Sequence, residues 1–507
     1  MQERLLTWLK AHRLDVILVS LIVLITGIIS AVNMTNYPQR FDDEGTYIAQ
    51  AWAIEERGTL THYTYWYDHP PAGWIQIAGY EAITNAQNRY HSSITGGREF
   101  MLIAHLATII LLFLLARRLG LGSLAATLGT LAYGLSPLVV DFSRYVLLDN
   151  VGLPWLIGAF VLALSPRRQI SAAIGAAICM AIAVLSKETF IILLPVLVYT
   201  MWTHNDARNR RYLLAAFGVV FFMLTGMYVL YAALKNEFFP GPGHVSLLGA
   251  FAWQLSGRQG SGSIFNPISG AHNLLTYWLS FDHWLLLSGL ISLPLTLFFR
   301  KLRPITLALI FGFLMLLRTG YLPYPYIIAV LPFAALTLAG LLHYAIILPL
   351  QAYRGSAFYR HWARVASLGM ALGALIFVSP VWYAKLHAAT TINQDTYNRQ
   401  AIEWIDKHIN HHGKRLVIES PMWTDLENKG FNNPDPIWVY KTETDPAIVK
   451  LIGSWKGVDY VILNGLTVNA SDFNQAFPTV SQAIKHAKVV ARFGENAQEI
   501  LVYQVKH

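Results

Sequence analysis

Hydrophobic residues in this chain gather in long blocks with polar residues collected between them, not at the spacing of amphipathic elements. Blocks of about 20 residues suit helices that cross about 30 Å of hydrocarbon. They recur over the first 385 positions and predict about eleven spans, at residues 14–33, 100–116, 121–140, 145–164, 170–186, 188–203, 212–234, 283–299, 304–320, 324–349 and 365–384. The basic start (Arg4, Lys10, Arg13) imitates a signal peptide. The apolar stretch from Leu14 to Val32 is longer than the roughly 7–15 residues of a signal core, so it reads as an uncleaved first span.

Beyond residue 385 the pattern changes to that of a soluble domain. Residues 395–410 place Ile402, Trp404, Ile405 and Ile409 at amphipathic-helix spacing. Short apolar runs at Arg415–Ser420, Asp459–Asn464, Val489–Phe493 and Ile500–Val505 read as strands, with a helical stretch near 446–454. The expected architecture is therefore a polytopic α-helical membrane domain over residues 1–385 and a small α/β domain over residues 386–507. No internal repeat, dinucleotide-binding glycine motif, phosphate-binding loop or heptad run is present, and the Asn469-Ala470-Ser471 sequon carries no weight.

Composition agrees with the pattern. The 507 residues are 54% hydrophobic and only 13% charged, with mean hydropathy +0.41. Soluble domains carry about 25% charged residues. The net charge of +9 shows no basic-aromatic patch that would suit nucleic acid. With the N-terminus inside, sixteen Arg and Lys residues fall in the short inner segments. The longer outer loop 34–99 holds four (Arg40, Arg57, Arg89, Arg98) against eight acids. That asymmetry satisfies the positive-inside rule. An odd number of spans then puts the C-terminal domain outside, in a bacterial or archaeal plasma membrane. The single cysteine, Cys179, lies in an apolar block, so there is no intrachain disulfide and no cysteine-based metal site.

The outer loops carry the candidate chemistry. Asp42, Asp43 and Glu44 are three consecutive carboxylates just outside the first span, where charge beside lipid is costly. They read either as a site or as a cap on a helix beginning near Thr46. Tyr67-Asp68-His69-Pro70-Pro71 fixes backbone direction, because proline locks φ and restricts the residue before it. His69 is either part of a turn or a substrate or metal contact. Asp149 sits about one turn into the fourth span, with Arg144 as a candidate ion-pair partner. Lys187-Glu188 interrupts an apolar stretch and reads either as a turn with an internal salt bridge or as a cation for a lipid phosphate. Arg318 precedes Tyr321, Tyr324 and Tyr326, which form either a second cationic site or an interfacial aromatic belt. Aromatic residues in loop 34–99 (Tyr63, Tyr65, Trp66, Tyr67, Trp74) suit sugar stacking. Loop 235–282, with Pro240-Gly241-Pro242-Gly243 and the run Gly257–Ser263, reads as a flexible cover for a substrate.

In order and side, these motifs resemble the integral-membrane glycosyltransferases of the GT-C class, in particular the protein O-mannosyltransferase-like group that includes the lipid A aminoarabinose transferases. Asp43-Glu44 is similar to that group's Asp-Glu pair after the first span. His69–Pro71 is similar to its His-Pro-Pro segment, and Arg144–Asp149 to its Arg-Tyr-x-Leu-Leu-Asp segment. The Lys187 segment and Tyr326–Pro332 are similar to looser patterns of the bacterial branch. The resemblance covers roughly residues 10–350 and implies a polyprenyl-phosphate sugar donor and an acceptor hydroxyl on a lipid, glycan or protein. The C-terminal outer domain resembles that of the aminoarabinose transferases, in contrast to the internal luminal domain of the eukaryotic mannosyltransferases, and this puts a protein acceptor in doubt. Phosphate leaves without protonation, so one general base suffices. That role falls to Asp43, with Glu44 and Asp149 positioning it or the acceptor. Asp42, His69, Arg144 and Tyr326 would contact substrate. Lys187 and Arg318 would neutralise the phosphate. The group differs internally in metal use, and no histidine or cysteine ligand set stands in this sequence, so no metal cofactor is expected. The rival readings are a lipid-linked sugar transporter, for which intramembrane acids suit ion coupling but repeats are missing, and an envelope assembly protein that binds partners through residues 386–507.

Overall fold

The computed structural model describes residues 12–60, 67, 69–167, 169–241, 245–352, 357–495 and 498–507. Of the residues named above, Arg4, Lys10, Tyr63, Tyr65, Trp66, Asp68, Pro242 and Gly243 lie outside the described residues.

The first half of the chain is a succession of helices: α1 (Arg13–Ala31), α2 (Asp42–Arg57), α3 (Ala72–Thr84), α4 (Ser93–Arg118), α5 (Ser123–Gly134), α6 (Pro137–Arg144), α7 (Leu148–Ala163) and α8 (Gln169–Ser186). Among the described residues, five helices are long and apolar enough to cross a membrane: α1, α4, α8, Arg210–Leu234 and Tyr324–Leu350. Taken as one unit, α5 and α6 make a sixth, bent by 58°. The bend has a local cause. Ser136 accepts the Val139 N–H as a cap, and Pro137 follows at the first helical position, where a missing backbone donor costs nothing. Three shorter apolar helices, α7, Glu188–His204 and Arg303–Leu316, stand at other apolar blocks. The block at 283–299 belongs to Gly270–Thr296, which breaks at Asp282, and the block at 365–384 to Ala357–Thr391. The protein is a mostly helical, multi-pass membrane protein.

Residues 396–505 fold around a five-stranded sheet. The amphipathic helix Thr396–His408 buries Ala401, Ile402 and Ile405. The strands are β1 (Leu416–Ile418), β2 (Ile437–Trp438), β3 (Tyr460–Asn464), β4 (Ala487–Phe493) and β5 (Ile500–Val505), in the order β2-β1-β3-β5-β4. β1 is parallel to both β2 and β3, and β5 is antiparallel to both β3 and β4.

Helix α2 joins the two regions because it is apolar on two sides. Tyr47, Ile48 and Ala51 pack into the core of the membrane helices. Ala49, Trp52 and Ala53 pack with Trp423, Trp438 and Ile462 of the sheet region in a second core. Trp52 meets Trp423 edge-on at 5.3 Å and donates its indole N–H to Asn428 at 2.9 Å. The junction leaves no room at Gly45, where a Cβ would overlap the Ser420 carbonyl carbon and the Pro421 nitrogen.

Candidate active site

The acidic triplet opens α2, and its three members diverge at once. Glu44 is fully buried. It accepts Arg98 Nε–H (2.9 Å) and Nη2–H (2.8 Å), the Phe41 N–H (2.9 Å) and the Val146 N–H (3.0 Å). All four acceptor positions of that carboxylate are filled, so Glu44 caps α2 and ties it to α4. Of the two tasks expected of Glu44, positioning Asp43 or positioning the acceptor, these bonds fit the first, since they leave no lone pair for an acceptor. Asp42 points the other way. Ser420 donates its hydroxyl both to the Asp42 carboxylate and, at 2.8 Å, to the Asp42 carbonyl. Solvent reaches this side chain, yet enough protein surrounds it that desolvation pushes its pKa up to about 7; the Ser420 bond opposes the rise, and Asp43 and Glu419 reinforce it. Asp43, half-buried between them, carries no hydrogen bond or ion pair among the described residues.

A second set of charges faces this turn. Pro71 ends the His-Pro-Pro segment where α3 begins. His69 Nδ1 lies 2.9 Å from Glu188 Oε2, and its Nε2 lies 3.2 Å from Lys187 Nζ. An ammonium only donates, so Nε2 accepts and Nδ1–H donates to Glu188. Lys187 follows the end of α8 and is 3.7 Å from Asp149 Oδ2 in the first turn of α7. Both are almost fully buried. Tyr47 meets the His69 ring edge-on at 5.8 Å.

Part of this charged group opens onto one cavity of about 710 Å³, within the roughly 300–1,000 Å³ range of small-molecule sites. Asp42, Asp43, Thr46, Tyr47, His69, Lys187 and Glu188 line one end. Residues 245–258 of the outer loop, the segment Tyr321–Tyr326, and Tyr440 with Thr444 of the sheet region complete it. Arg258 is a cavity residue that the sequence reading missed. Its guanidinium stacks 3.9 Å from the Tyr321 ring centroid and 4.8 Å from that of Trp253, and it donates to Gln254 at 3.1 Å. The signal available was an arginine close to a tryptophan in an otherwise Gly/Ser-rich loop. Among the described residues, no three acidic, histidine or cysteine side chains are grouped to hold a metal ion.

Other expected site residues stand elsewhere. Arg144 does not pair with Asp149. Its guanidinium donates to the carbonyls of Ile29 (2.8 Å), Ser30 (3.1 Å), Val32 (2.9 Å), Tyr37 (3.4 Å) and Ala389 (2.7 Å), where it closes the end of α1. Helix carbonyls without intrahelical partners attract such a donor. Asp149 sits behind Lys187 and does not line the cavity, and neither do Glu44, Arg144 or Arg318. Tyr326 does line it.

Residues 68–231 match the family model described as dolichyl-phosphate-mannose-protein mannosyltransferase. The fold is similar to that of ArnT from Cupriavidus metallidurans, solved bound to undecaprenyl phosphate, with a TM-score of 0.63, 16% identity and coverage of 96% of this chain and 97% of that one. It is similar to an Archaeoglobus fulgidus oligosaccharyltransferase tethered with an acceptor peptide, with TM-score 0.59, 14% identity and coverage of 99% and 75%. The arabinofuranosyltransferase AftD from Mycobacteria aligns with TM-score 0.52, 14% identity and coverage of 98% and 40%. No curated protein matches the chain by sequence. At these identities the structural likeness speaks for fold. The chain thus has the fold of the GT-C glycosyltransferases, and over residues 68–231 it is similar to the mannosyltransferase-like group among them.

Proposed function

We propose that the protein transfers a sugar from a polyprenyl-phosphate donor to an acceptor hydroxyl on the extracytoplasmic face, with inversion and with Asp43 as general base. The observation that carries this reading is the contrast inside the triplet: Asp43 lines the cavity together with Lys187 and His69 and has no hydrogen bond or ion pair among the described residues, while Glu44 is saturated. The family match and the undecaprenyl phosphate of the similar ArnT structure support the donor class.

In the reaction Asp43 takes the proton from the acceptor hydroxyl, and the oxygen attacks the anomeric carbon from the face opposite the phosphate. The bond from that carbon to the phosphate oxygen breaks, and polyprenyl phosphate leaves with the electron pair. Lys187 and Arg258 meet the charge that develops on the phosphate. Asp149 and His69, both against Lys187, hold its ammonium in place. Glu44, through Arg98, sets the direction of the α2 turn that presents Asp43.

The positive-inside pattern supports a cytoplasmic N-terminus, about eleven spans within residues 1–385, and an outer placement of residues 386–507. A panel of radiolabelled polyprenyl-phosphate sugars tests the reading. Turnover of one donor by purified protein is the expected result. Binding of the lipid phosphate without turnover of any donor, together with ion-driven flux of a lipid-linked sugar in proteoliposomes, would replace the enzyme by a transporter.

A further inference from the structure

Two walls of the cavity differ in chemistry and in origin. One comes from outer-loop residues 245–258, where Val245, Gly249, Ala250 and Trp253 face the cavity. The same segment exposes Phe251 and Leu255, each more than half exposed, on its outside. Apolar exposure of this kind beside membrane helices suits contact with acyl or polyprenyl chains. The second wall comes from the sheet region, at Tyr440 and Thr444. These two are four residues apart, and Thr444 Oγ1 donates to the Tyr440 carbonyl at 2.8 Å, which fixes them as one unit.

The position of that wall in the fold is informative. β2, β1 and β3 are parallel neighbours, so their carboxyl ends open along one edge. In parallel α/β sheets, ligands bind outside the carboxyl ends of the strands. The chain leaves β1 into Ser420, which bonds to Asp42, and leaves β2 into Tyr440 and Thr444, which line the cavity. The ligand edge of the sheet therefore opens into the same space as Asp43.

The wall is also held firmly. Arg40 donates to Asp395 (2.6 and 3.1 Å), to Asp425 (2.8 Å) and to the Pro421 carbonyl (3.1 Å), all of them buried. Asp425 in turn accepts the Ser93 N–H at 2.7 Å. These bonds fix the sheet region against α2 and α4.

We propose that the carboxyl edge of β1 and β2 is the acceptor subsite, and that it takes a water-borne, polyhydroxylated acceptor such as a glycan chain, with Tyr440 and Thr444 determining its specificity. The lipid donor lies along the wall of residues 245–258. An aromatic ring, a hydroxyl and nearby carboxylates are the groups that bind sugar faces and sugar hydroxyls. This inference rests on the glycosyl-transfer reading.

Cysteine accessibility of the full-length protein in lipid nanodiscs tests it, in a Cys179→Ala background with a membrane-impermeant maleimide. Undecaprenyl phosphate and a panel of neutral trisaccharides (maltotriose, mannotriose, chitotriose) serve as probes. Undecaprenyl phosphate is expected to slow labelling of Ala250→Cys at least tenfold and that of Thr444→Cys less than twofold. At least one trisaccharide is expected to slow Thr444→Cys at least fivefold and to leave Ala250→Cys unchanged. Protection of Thr444→Cys by undecaprenyl phosphate equal to that of Ala250→Cys would make the sheet wall donor territory and overturn the proposal. Trisaccharides that leave Thr444→Cys labelling unchanged would overturn the glycan class. If undecaprenyl phosphate protects neither position and does not bind, the donor reading fails first and the inference fails with it.

Discussion

Two clusters of opposite charge lie within one short stretch of this molecule, and they are built differently. In the first, Arg98 with Glu44 and Arg40 with Asp395 and Asp425 are buried and closed. Arg40 uses its guanidinium on two carboxylates, the Ser92 hydroxyl and the Pro421 carbonyl. In the second, Lys187 lies 3.2 Å from His69 and 3.7 Å from Asp149, His69 lies 2.9 Å from Glu188, and Asp43 borders the cavity with no hydrogen bond or ion pair among the described residues. A carboxylate whose lone pairs are all occupied holds structure together; one that faces a cavity is able to take a proton. In the proposed function the adjacent residues Asp43 and Glu44 thus have opposite tasks, and the clusters are separable by experiment.

The largest effect belongs to the closed cluster. Removing one partner of a buried ion pair costs about 3–5 kcal/mol, so Arg98→Ala should lower the thermal unfolding midpoint in detergent sharply. An unchanged midpoint would mean that the closed cluster carries no structural load. For the open cluster the loss appears in turnover: Lys187→Gln should cut kcat/KM about 100-fold, as removal of one charge-stabilising donor does elsewhere. Its stability loss should be smaller than that of Arg98→Ala; the reverse ranking would erase the distinction. Next in size is Gly45→Ala, an overpacking at the junction worth about 1–3 kcal/mol. Limited proteolysis should then cut residues 396–505 faster than in the wild type, and equal rates would contradict the tight junction.

The smallest effect is a pH dependence. Desolvation by the surrounding protein raises Asp42 to about 7, so the carboxylate that accepts from Ser420 forms as pH rises through that value. Transfer should rise several-fold across pH 7, and the inflection should vanish in Asp42→Asn. Because the folded value lies above the free one, ionising Asp42 also costs stability, so that stability falls as pH rises from about 4 to about 7. An inflection that persists in the variant would assign it to another group.

The sequence brought the cavity end near the surface but not its division of labour. Asp42, Asp43, His69 and Lys187 were readable because charge or punctuation at a membrane edge is costly and stands out, and Tyr326 because its segment resembles a pattern of the bacterial branch. That Glu44 is closed off by Arg98 was not readable, since the partner lies 54 residues away and local spacing carries no trace of it. Arg144 misled for a related reason. Asp149 is its neighbour in sequence, whereas its guanidinium turns to carbonyls at the end of α1 and at Ala389. In the sheet region, Tyr460–Asn464 and Ile500–Val505 are apolar runs long enough to stand out. β2 is two residues long, Ile437–Trp438, too short for a period to develop, and Tyr440 and Thr444 were overlooked with it.

The most direct test is sugar transfer from a radiolabelled polyprenyl-phosphate donor by Asp43→Asn, with donor binding and the unfolding midpoint measured on the same preparation. Transfer is expected to fall by about 10²–10⁴-fold, the range for loss of a general base, with binding and midpoint near wild type. Near-normal transfer by folded Asp43→Asn would contradict this and move the base to another carboxylate of the cavity.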